Sequence, residues 1–240
     1  MTPEVEYIDL GLIDYKKAWD LQESLFKKII DHKIARRTDE SLPVPKNYLL
    51  ICEHPHVYTL GKSGKEDHLL LNASELDQHE ATYYKINRGG DITYHGPGQL
   101  VVYPIFDLDQ FFTDIHKYMR FLEEAVIRTL EAFGIHSGRV DGLTGVWIDY
   151  NLPSARKICA LGVKSSRWVT MHGIGFNVNT NLNYFTHIVP CGIDDKAVTS
   201  MQKECGYALD FKKVSTILSH NLKELFEFTF VEGDLSALSL

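Results

Sequence analysis

The stretch "RGGDITYHGPGQLVVYPIFDL", Arg88 to Leu108, carries the most structural information in this 240-residue chain. Its first half holds Gly89, Gly90, Gly96 and Gly98 within ten residues. Glycine permits sharp turns and close approach of a ligand to the main chain, whose N–H groups can bind carbonyl or phosphate oxygens. The second half is an apolar run typical of a buried strand. The stretch predicts a glycine-rich turn beside a buried strand, and its composition leaves open whether the turn binds a ligand or only joins hairpins.

Helical and strand-like patterns alternate irregularly along the rest of the chain. Apolar residues recur at helical spacing from Asp14 to about Ile34, from Thr113 to Phe133 and from about Phe211 to Phe228. Asp14 is a plausible N-cap, and Gly134 is a natural stop for the second helix. Six segments are typical of strands: "NYLLICE", "HVYTL", "ATYYKINRGG", "GVWIDY", "KICALGVKSS" and "WVTMHGIGFNVN". A few helices among many strands predict an α+β or α/β sheet domain rather than a regular βαβ array.

The overall composition is that of an ordinary globular protein, and we expect one domain over residues 1–240. The formal net charge of −7 argues against general affinity for nucleic acid or for an anionic membrane. No apolar run is typical of a signal peptide or a membrane span. None of the four cysteines belongs to a C-x-x-C pair, so neither a zinc knuckle nor a redox dithiol is indicated. These features predict a reduced, cytoplasmic enzyme.

Two local patterns imitate known binding motifs without completing them. "LGKS", Leu60 to Ser63, lacks the earlier glycine of a phosphate loop, because position 56 is a histidine. His54 and His56 lie two residues apart, but no third ligand follows at a distance typical of zinc sites. We expect an ordinary turn at the first pattern, structural histidines at the second, and neither a cofactor nor a metal.

Cys191 lies between a proline and a glycine in "IVPCGI", where the chain is expected to turn sharply. A thiol acts as a nucleophile when a neighbouring group stabilises its thiolate or accepts its proton. Lys157, His95 and His172 are the candidates for that neighbour. Because buried, inert cysteines are common, these residues alone leave the role of Cys191 open.

Four segments, taken in order, resemble the signature blocks of the lipoyl(octanoyl) transferase family. They are "HPHVYTLGKSGKEDHLL", "RGGDITYHGPGQLVVYPIFDL", "RKICALGVKSSRWVTMHGIGFNVN" and "FTHIVPCGI". The likeness extends from about Asn47 to Met201 and is much more specific than any one glycine cluster. It implies a mixed β-sheet flanked by helices, the fold that this family shares with biotin and lipoate protein ligases.

The resemblance also implies an activity, the transfer of an octanoyl group from octanoyl-acyl carrier protein to a lysine of a lipoyl domain. The acceptors it implies are lipoyl domains of 2-oxoacid dehydrogenase complexes and the glycine-cleavage H protein. No ATP is implied, because thioester exchange is nearly balanced and amide formation is favourable. Acyl carrier proteins are acidic, so a local basic face is expected near the site, with Lys62 to Lys65 and Arg88 as candidates.

The family's functional positions match individual residues of this chain. Cys191 matches the acyl-thioester cysteine, Lys157 matches the catalytic lysine, and His172 is assigned a supporting role. Three segments match the substrate-binding positions: Arg88, Gly89, Gly90, Asp91, Ile92, Thr93, Tyr94 and His95; Ala160, Leu161 and Gly162; and Gly173, Ile174 and Gly175. In two small departures, Cys159 adds a second thiol near Lys157 and Gly175 stands where alanine is often found.

Two other functions fit part of these features. An ATP-dependent lipoate or biotin protein ligase on the same fold would need no nucleophilic cysteine. A non-enzymatic acyl- or peptide-binding module would tolerate replacement of Cys191 by serine. The presence of Cys191 in its block and the lack of a recognisable ATP motif favour the transferase.

Overall fold

The computed structural model describes residues 2–189 and 197–233. Its strands, in chain order, are β1 (Glu4–Leu12), β2 (Asn47–Glu53), β3 (Val57–Leu60), β4 (Thr82–Lys85), β5 (Ile92–His95), β6 (Gln99–Ile105), β7 (Gly138–Val140), β8 (Leu143–Ile148), β9 (Arg156–Ser166), β10 (Val169–Asn177), β11 (Ala197–Val198) and β12 (Thr229–Glu232). Its helices are α1 (Tyr15–Arg36), α2 (Ala73–Gln78), α3 (Ile115–Ala132), α4 (Met201–Cys205) and α5 (Phe211–Phe226).

Most of these strands form one mixed sheet. Its order is β12-β1-β2-β6-β10-β9-β8-β7, and β11 pairs with β9 outside that path. The pairs β12–β1, β1–β2 and β11–β9 are parallel, whereas the successive pairs from β2 to β7 are antiparallel. A smaller sheet has the order β4-β3-β5. The predicted mixed sheet flanked by helices is therefore confirmed.

Helices cover both faces of the main sheet. Leu25 of α1 shares an apolar cluster with Met171 of β10 on one face. Leu122 of α3 and Leu218 of α5 share the larger cluster with Phe176 on the other face. Successive β10 side chains alternate between the two faces, as a strand buried on both sides requires. The strand β10 is therefore a central element of the core.

The helix ends follow the predicted capping residues. The Asp14 side chain accepts a hydrogen bond from the Lys17 amide at the start of α1, so the predicted N-cap is confirmed. Gly134 adopts a φ of +74° shortly after α3, a left-handed conformation that suits glycine and ends the helix. Within the described residues, no helix combines the length and apolarity needed to cross a membrane.

Strand β1 was not predicted from the sequence patterns. Only Val5 and Ile8 of this strand are fully buried, so its alternation of apolar and polar residues is weak. Its partners are β2 and β12, which lie about 40 and more than 200 residues further along the chain. Strand β1 is therefore stabilised by parallel pairing with distant segments, and its own residues show no pattern that predicts a strand.

Candidate functional site

A cavity of about 490 Å³ opens along β9 and β10. Its wall includes nearly all of the described residues that the family resemblance selects: Arg88–Thr93, His95, Lys157, Ala160–Gly162 and His172–Gly175. These residues come from the segment 88–95 and, more than 60 residues later in the sequence, from the consecutive strands β9 and β10. The fold thus brings the predicted substrate-binding segments and the predicted catalytic lysine to one concave site.

Small residues of β9 and β10 form part of the cavity wall, beside larger side chains of the same strands such as Leu161 and Ile174. Gly173 of β10 pairs with Gly162 of β9, and Gly175 pairs with Ala160 in the same antiparallel ladder. A Cβ atom at Gly162 would lie 2.9 Å from the Gly89 carbonyl oxygen, and one at Gly173 would lie 2.3 Å from the Val102 carbonyl oxygen. Glycine at these two positions is therefore required by the close approach of the Arg88 loop and of β6, and with Gly175 and Ala160 it leaves this patch almost without side chains.

The loop Arg88–Asp91 is held on both sides by main-chain hydrogen bonds. The amides of Gly61, Lys62 and Ser63 donate to the carbonyls of Asp91, Arg88 and Gly90 at 3.0–3.2 Å. On the other side, the Gly89 amide donates to the Val163 carbonyl of β9 at 2.9 Å. The "LGKS" turn therefore binds protein carbonyls, and its contacts explain the close packing of the two glycine-containing loops.

Arg88 is buried, with 7% of its surface exposed. Its Nη2 donates to the Thr59 carbonyl at 2.7 Å and to the Thr59 hydroxyl at 3.0 Å. Its side chain therefore ties the loop to β3 and places a cation within the cavity wall. The expectation that Arg88 contributes to a basic surface face is wrong, because the guanidinium lies inside the protein.

His95 is the start of a buried chain of hydrogen bonds. Its Nδ1–H donates to Gln99 Oε1 at 2.6 Å, and Gln99 Nε2 donates to Asn177 Oδ1 at 2.9 Å. Asn177 Nδ2 in turn donates to the Thr199 carbonyl, while the Thr199 amide donates to the Lys157 carbonyl. Burial lowers the pKa of His95 to about 3, so its ring is neutral near pH 7. This network connects the ring orientation of His95 to the strand that carries Lys157.

His172 lies at a break in the regular conformation of β10. Its φ is +61°, and its amide donates to Gln22 Oε1 of α1 at 3.0 Å. Its ring Nε2–H donates to Asn87 Oδ1 at 3.2 Å, next to the Arg88 loop. Burial and the nearby Arg88 charge lower the pKa of His172 to about 3. His172 is thus a neutral residue that links α1, β10 and the loop at the cavity wall.

The Lys157 side chain projects from β9 and packs against two residues of β8. Its Nζ lies 4.7 Å from the centre of the Trp147 ring, which is a cation–π contact. A Cβ atom on Gly145 would lie 3.3 Å from Lys157 Cε, so the lysine stem packs against this glycine. Both neighbours restrict the directions in which the ammonium group can point.

Tyr94, a predicted substrate-binding residue, and the pair His54 and His56 do not lie in the cavity wall. Tyr94 is fully buried outside the cavity wall; its ring stacks on Tyr184 at 5.0 Å between centroids, and its hydroxyl bonds to His56 Nδ1. His54 bonds instead to the Ile13 carbonyl and the Tyr103 hydroxyl. The two histidines thus have separate structural partners. Among the described residues, no group of three acidic, histidine or cysteine side chains is arranged to hold a metal.

Cys191 lies outside the described residues. On its N-terminal side, the Val189 amide donates to the His68 carbonyl at 2.9 Å. On the C-terminal side of the undescribed segment, Val198 pairs in register with Lys157 and lines the cavity. Val189, before Cys191, therefore contacts the His68 loop, and Val198, after Cys191, pairs with β9 beside Lys157.

His68 is a residue of the site region that the sequence patterns did not single out. Its Nδ1 lies 2.6 Å from Asp91 Oδ2, and Asp91 lines the cavity with 9% of its surface exposed. Gln99, Asn177 and Tyr103 also line the cavity without having been predicted. A histidine two residues after Glu66 in a charged loop carries no motif, so only the tertiary contact with Asp91 reveals it.

Proteins similar in sequence match this chain over nearly its whole length. The family model described as the lipoyl protein ligase A/B catalytic domain matches residues 14–223. An octanoyltransferase of Cytophaga hutchinsonii is 60% identical over 222 residues, which are 91% of this chain and 91% of that protein. An octanoyltransferase of Flavobacterium johnsoniae is 55% identical over 232 residues, which are 96% of this chain and all of that protein.

Solved structures with the same architecture are much more distant in sequence. A bipartite lipoate protein ligase of Thermoplasma acidophilum superposes with a TM-score of 0.68 at 16% identity, covering 96% of this chain and 87% of that chain. A lipoate-protein ligase A bound with ATP has a TM-score of 0.67 at 14% identity, covering 97% and 89%. These likenesses concern the fold alone, and they confirm the expected lipoate-ligase-like architecture.

Proposed function

The chain belongs to the octanoyltransferases of the lipoyl protein ligase A/B catalytic domain family, and from this premise we propose its donor, acceptors and chemical route. The donor is octanoyl-acyl carrier protein. The acceptors are lysines of lipoyl domains in 2-oxoacid dehydrogenase complexes and of the glycine-cleavage H protein. The observation that carries this proposal is the convergence of Lys157 and the three predicted substrate-binding segments on one cavity.

The octanoyl chain lies in that cavity. The bare patch formed by Ala160, Gly162, Gly173 and Gly175 lies in the cavity wall beside the apolar side chains of Leu161 and Ile174, and the methylene chain packs against this wall. Removing apolar surface from water is favourable by roughly 25 cal/mol per Å², which supplies the binding energy for an alkyl group. Neutral His95 and His172 suit this role, because an uncharged ring disfavours an alkyl neighbour less than a cation does.

Cys191 forms a thioester with the octanoyl group in the first step. Its thiolate, stabilised by the Lys157 ammonium, attacks the carbonyl carbon of the donor thioester. The bond to the pantetheine sulfur breaks, and that sulfur takes a proton from Lys157. Support comes from the chain segments on both sides of Cys191, since Val198 pairs with Lys157 and Val189 bonds to His68.

The acceptor lysine takes the octanoyl group in the second step. Its amine attacks the thioester carbonyl, the bond to Cys191 sulfur breaks, and neutral Lys157 accepts the proton released by the amine. An amide and a restored pair of Cys191 thiolate and Lys157 ammonium result. Because the donor is already a thioester, neither step needs ATP or a metal.

Transfer in the absence of ATP tests this function against that of a ligase. Octanoyl-acyl carrier protein, a lipoyl domain and the enzyme are incubated without nucleotide, and the mass of the lipoyl domain is measured. We expect one octanoyl group on the domain, and loss of transfer in Lys157→Ala. Modification that requires free octanoate and ATP, and does not occur from the carrier protein, would instead indicate an acid-activating ligase.

A further inference from the structure

Glu123 is a fully buried carboxylate on α3 that the proposed chemistry does not use. Its Oε2 accepts hydrogen bonds from Arg139 Nε at 2.9 Å and is paired with Arg120 Nη1 at 3.0 Å. Its Oε1 accepts a hydrogen bond from the Gly145 amide at 3.0 Å. A carboxylate taken wholly out of water is costly unless it is paired and hydrogen-bonded, as it is here. Glu123 is therefore held firmly by two arginines while it binds β8.

Gly145 lies at an irregular point of β8. Its φ is +122°; the register of β8 with β7 shifts between Leu143 and Trp147, and its register with β9 shifts between Val146 and Trp147. A side chain would not fit, because a Cβ atom would come 2.7 Å from the Cys159 carbonyl oxygen. Irregularities of this kind are common beside active sites, where they redirect a side chain. The Glu123 carboxylate accepts the hydrogen bond of the Gly145 amide at this irregular point.

Strand β8 also packs against Lys157. A Cβ atom at Gly145 would lie 3.3 Å from Lys157 Cε and 3.5 Å from its Cδ, so the lysine stem lies along the glycine. Two residues later, the Trp147 ring lies 4.7 Å from Lys157 Nζ. Residues 142–144, at the end of the β7–β8 turn and the start of β8, also line the cavity. One short strand therefore supplies two contacts of the lysine and part of the cavity wall.

We infer that Glu123 is a positioning residue for Lys157, acting through Gly145 and β8, an inference that rests on the proposed role of Lys157. The carboxylate anchors β8 to α3 at the point where the strand departs from regular pairing. The position of the Lys157 amine relative to the acyl group depends on that anchor. Glu123 does not touch the substrate in this account.

Replacement of Glu123 by glutamine keeps the side-chain size but removes the charge that both arginines hold. We expect the rate of octanoyl transfer per acyl-enzyme to fall about ten- to a hundredfold, the cost of a small misplacement of a catalytic group. The KM for the lipoyl domain should stay within about twofold, since the docking surface is unchanged. Single-turnover transfer from isolated acyl-enzyme measures the rate, and the amount of acyl-enzyme counts only active molecules.

Glu124→Gln is the matched control. Glu124 is the next residue on α3 and also pairs with Arg139, at 2.9 Å, but its side chain is about one-third exposed. Its described hydrogen bonds are to arginines, with none to Gly145. We expect its transfer rate to match wild type. Equal rates in wild type and Glu123→Gln, or equal losses in both glutamine variants, would overturn the inference.

A second variant, Glu123→Asp, and a fluorescence measurement distinguish a positioning role of Glu123 from a failure to fold. If Glu123→Gln does not fold, Glu123→Asp keeps the charge and withdraws the acceptor by one methylene, and the same loss of rate is expected. Trp147 fluorescence, measured with Trp19 and Trp168 changed to phenylalanine, should shift on either Glu123 change but not in Glu124→Gln. A wild type that forms no acyl-enzyme refutes the proposed function, whereas unchanged fluorescence in the Glu123 variants refutes the positioning role.

Discussion

Gly173 and Gly175 lie two residues apart on β10 but leave different room for a side chain. A Cβ atom at Gly173 would lie 2.3 Å from a backbone oxygen of β6, which cannot move without disturbing the sheet. The atoms nearest to a Cβ atom at Gly175 would belong to the Gln99 and His95 side chains, at 3.3 Å and beyond. The small departure at Gly175 therefore widens the cavity without being required by the backbone.

This difference predicts unequal losses of stability for two alanine substitutions. Gly173→Ala should lower the free energy of unfolding by about 1–3 kcal/mol, because overpacking a tight site forces a backbone shift. Gly175→Ala should change it by less than about 1 kcal/mol, since side chains can adjust. Urea denaturation of both variants measures the two values. A Gly173→Ala protein as stable as wild type would contradict the account of the bare patch.

The buried histidines predict a pH dependence of stability. Burial lowers the folded-state pKa of His95 and His172 to about 3, whereas an unfolded histidine has a pKa of about 6.5. Between these pH values the unfolded chain binds more protons, so the stabilisation is complete above about pH 6.5 and is lost as the pH falls. Each histidine contributes a slope of up to about 1.4 kcal/mol per pH unit.

Urea unfolding between pH 7 and pH 5 checks this slope. His95→Gln should flatten it by the contribution of one histidine, while the same substitution at the exposed His116 serves as the control and should leave it unchanged. A stability that stays constant from pH 7 to pH 5 would show that these rings are not held neutral by the fold.

At the scale of elements, the pair His68–Asp91 joins the loop after β3 to the loop before β5. His68→Ala leaves the buried Asp91 carboxylate without this partner, which should cost about 1–3 kcal/mol of unfolding free energy. The double variant His68→Ala, Asp91→Asn should lose less than the sum of the two single changes, because the two side chains interact directly. Strict additivity in urea denaturation would show that the pair contributes no coupling.

The strands and helices with strong local patterns could be predicted from the sequence. The apolar run after Gly98 became β6, Gln99–Ile105, and the periodic segment from Thr113 became α3, Ile115–Ala132. Both are stabilised mainly by apolar faces that the spacing of residues displays. Short elements such as β11 and α4 depend on tertiary contacts, so local periodicity gave no sign of them.

The site was partly predictable for the same reason. Lys157 and the glycine segments belong to distinctive sequence blocks, and the fold brings them to one cavity. Glu123 could not be found, because "LEEA" on a helix is typical of an exposed surface and two adjacent glutamates look equivalent. Only the packing of α3 against β8 buries one of them and exposes part of the other.

For the whole molecule, the proposed donor is an acidic protein although the net charge of this chain is −7. With Arg88 buried, the exposed Lys62 and Lys65 remain the candidates for a basic face beside the cavity loop. A few cations at a cavity rim steer an oppositely charged partner even when the total charge is unfavourable.

Charge reversal at Lys62 tests that face. Lys62→Glu should raise the KM for octanoyl-acyl carrier protein by about three- to tenfold at low salt, with a smaller effect at high salt because the charges are screened. Lys212→Glu, an equal charge change at an exposed position on α5, is the control. An unchanged KM in Lys62→Glu would exclude this loop from carrier-protein docking.

In the proposed route the octanoyl group passes through Cys191. A second thiol, Cys159, offers a built-in comparison, because it is fully buried and burial raises the pKa of its thiol well above the ordinary value. Intact-mass spectrometry after incubation with octanoyl-acyl carrier protein tests the claim most directly. We expect one octanoyl adduct on wild type and on Cys159→Ser, and none on Cys191→Ser; an adduct that persists in Cys191→Ser would exclude the route through this cysteine.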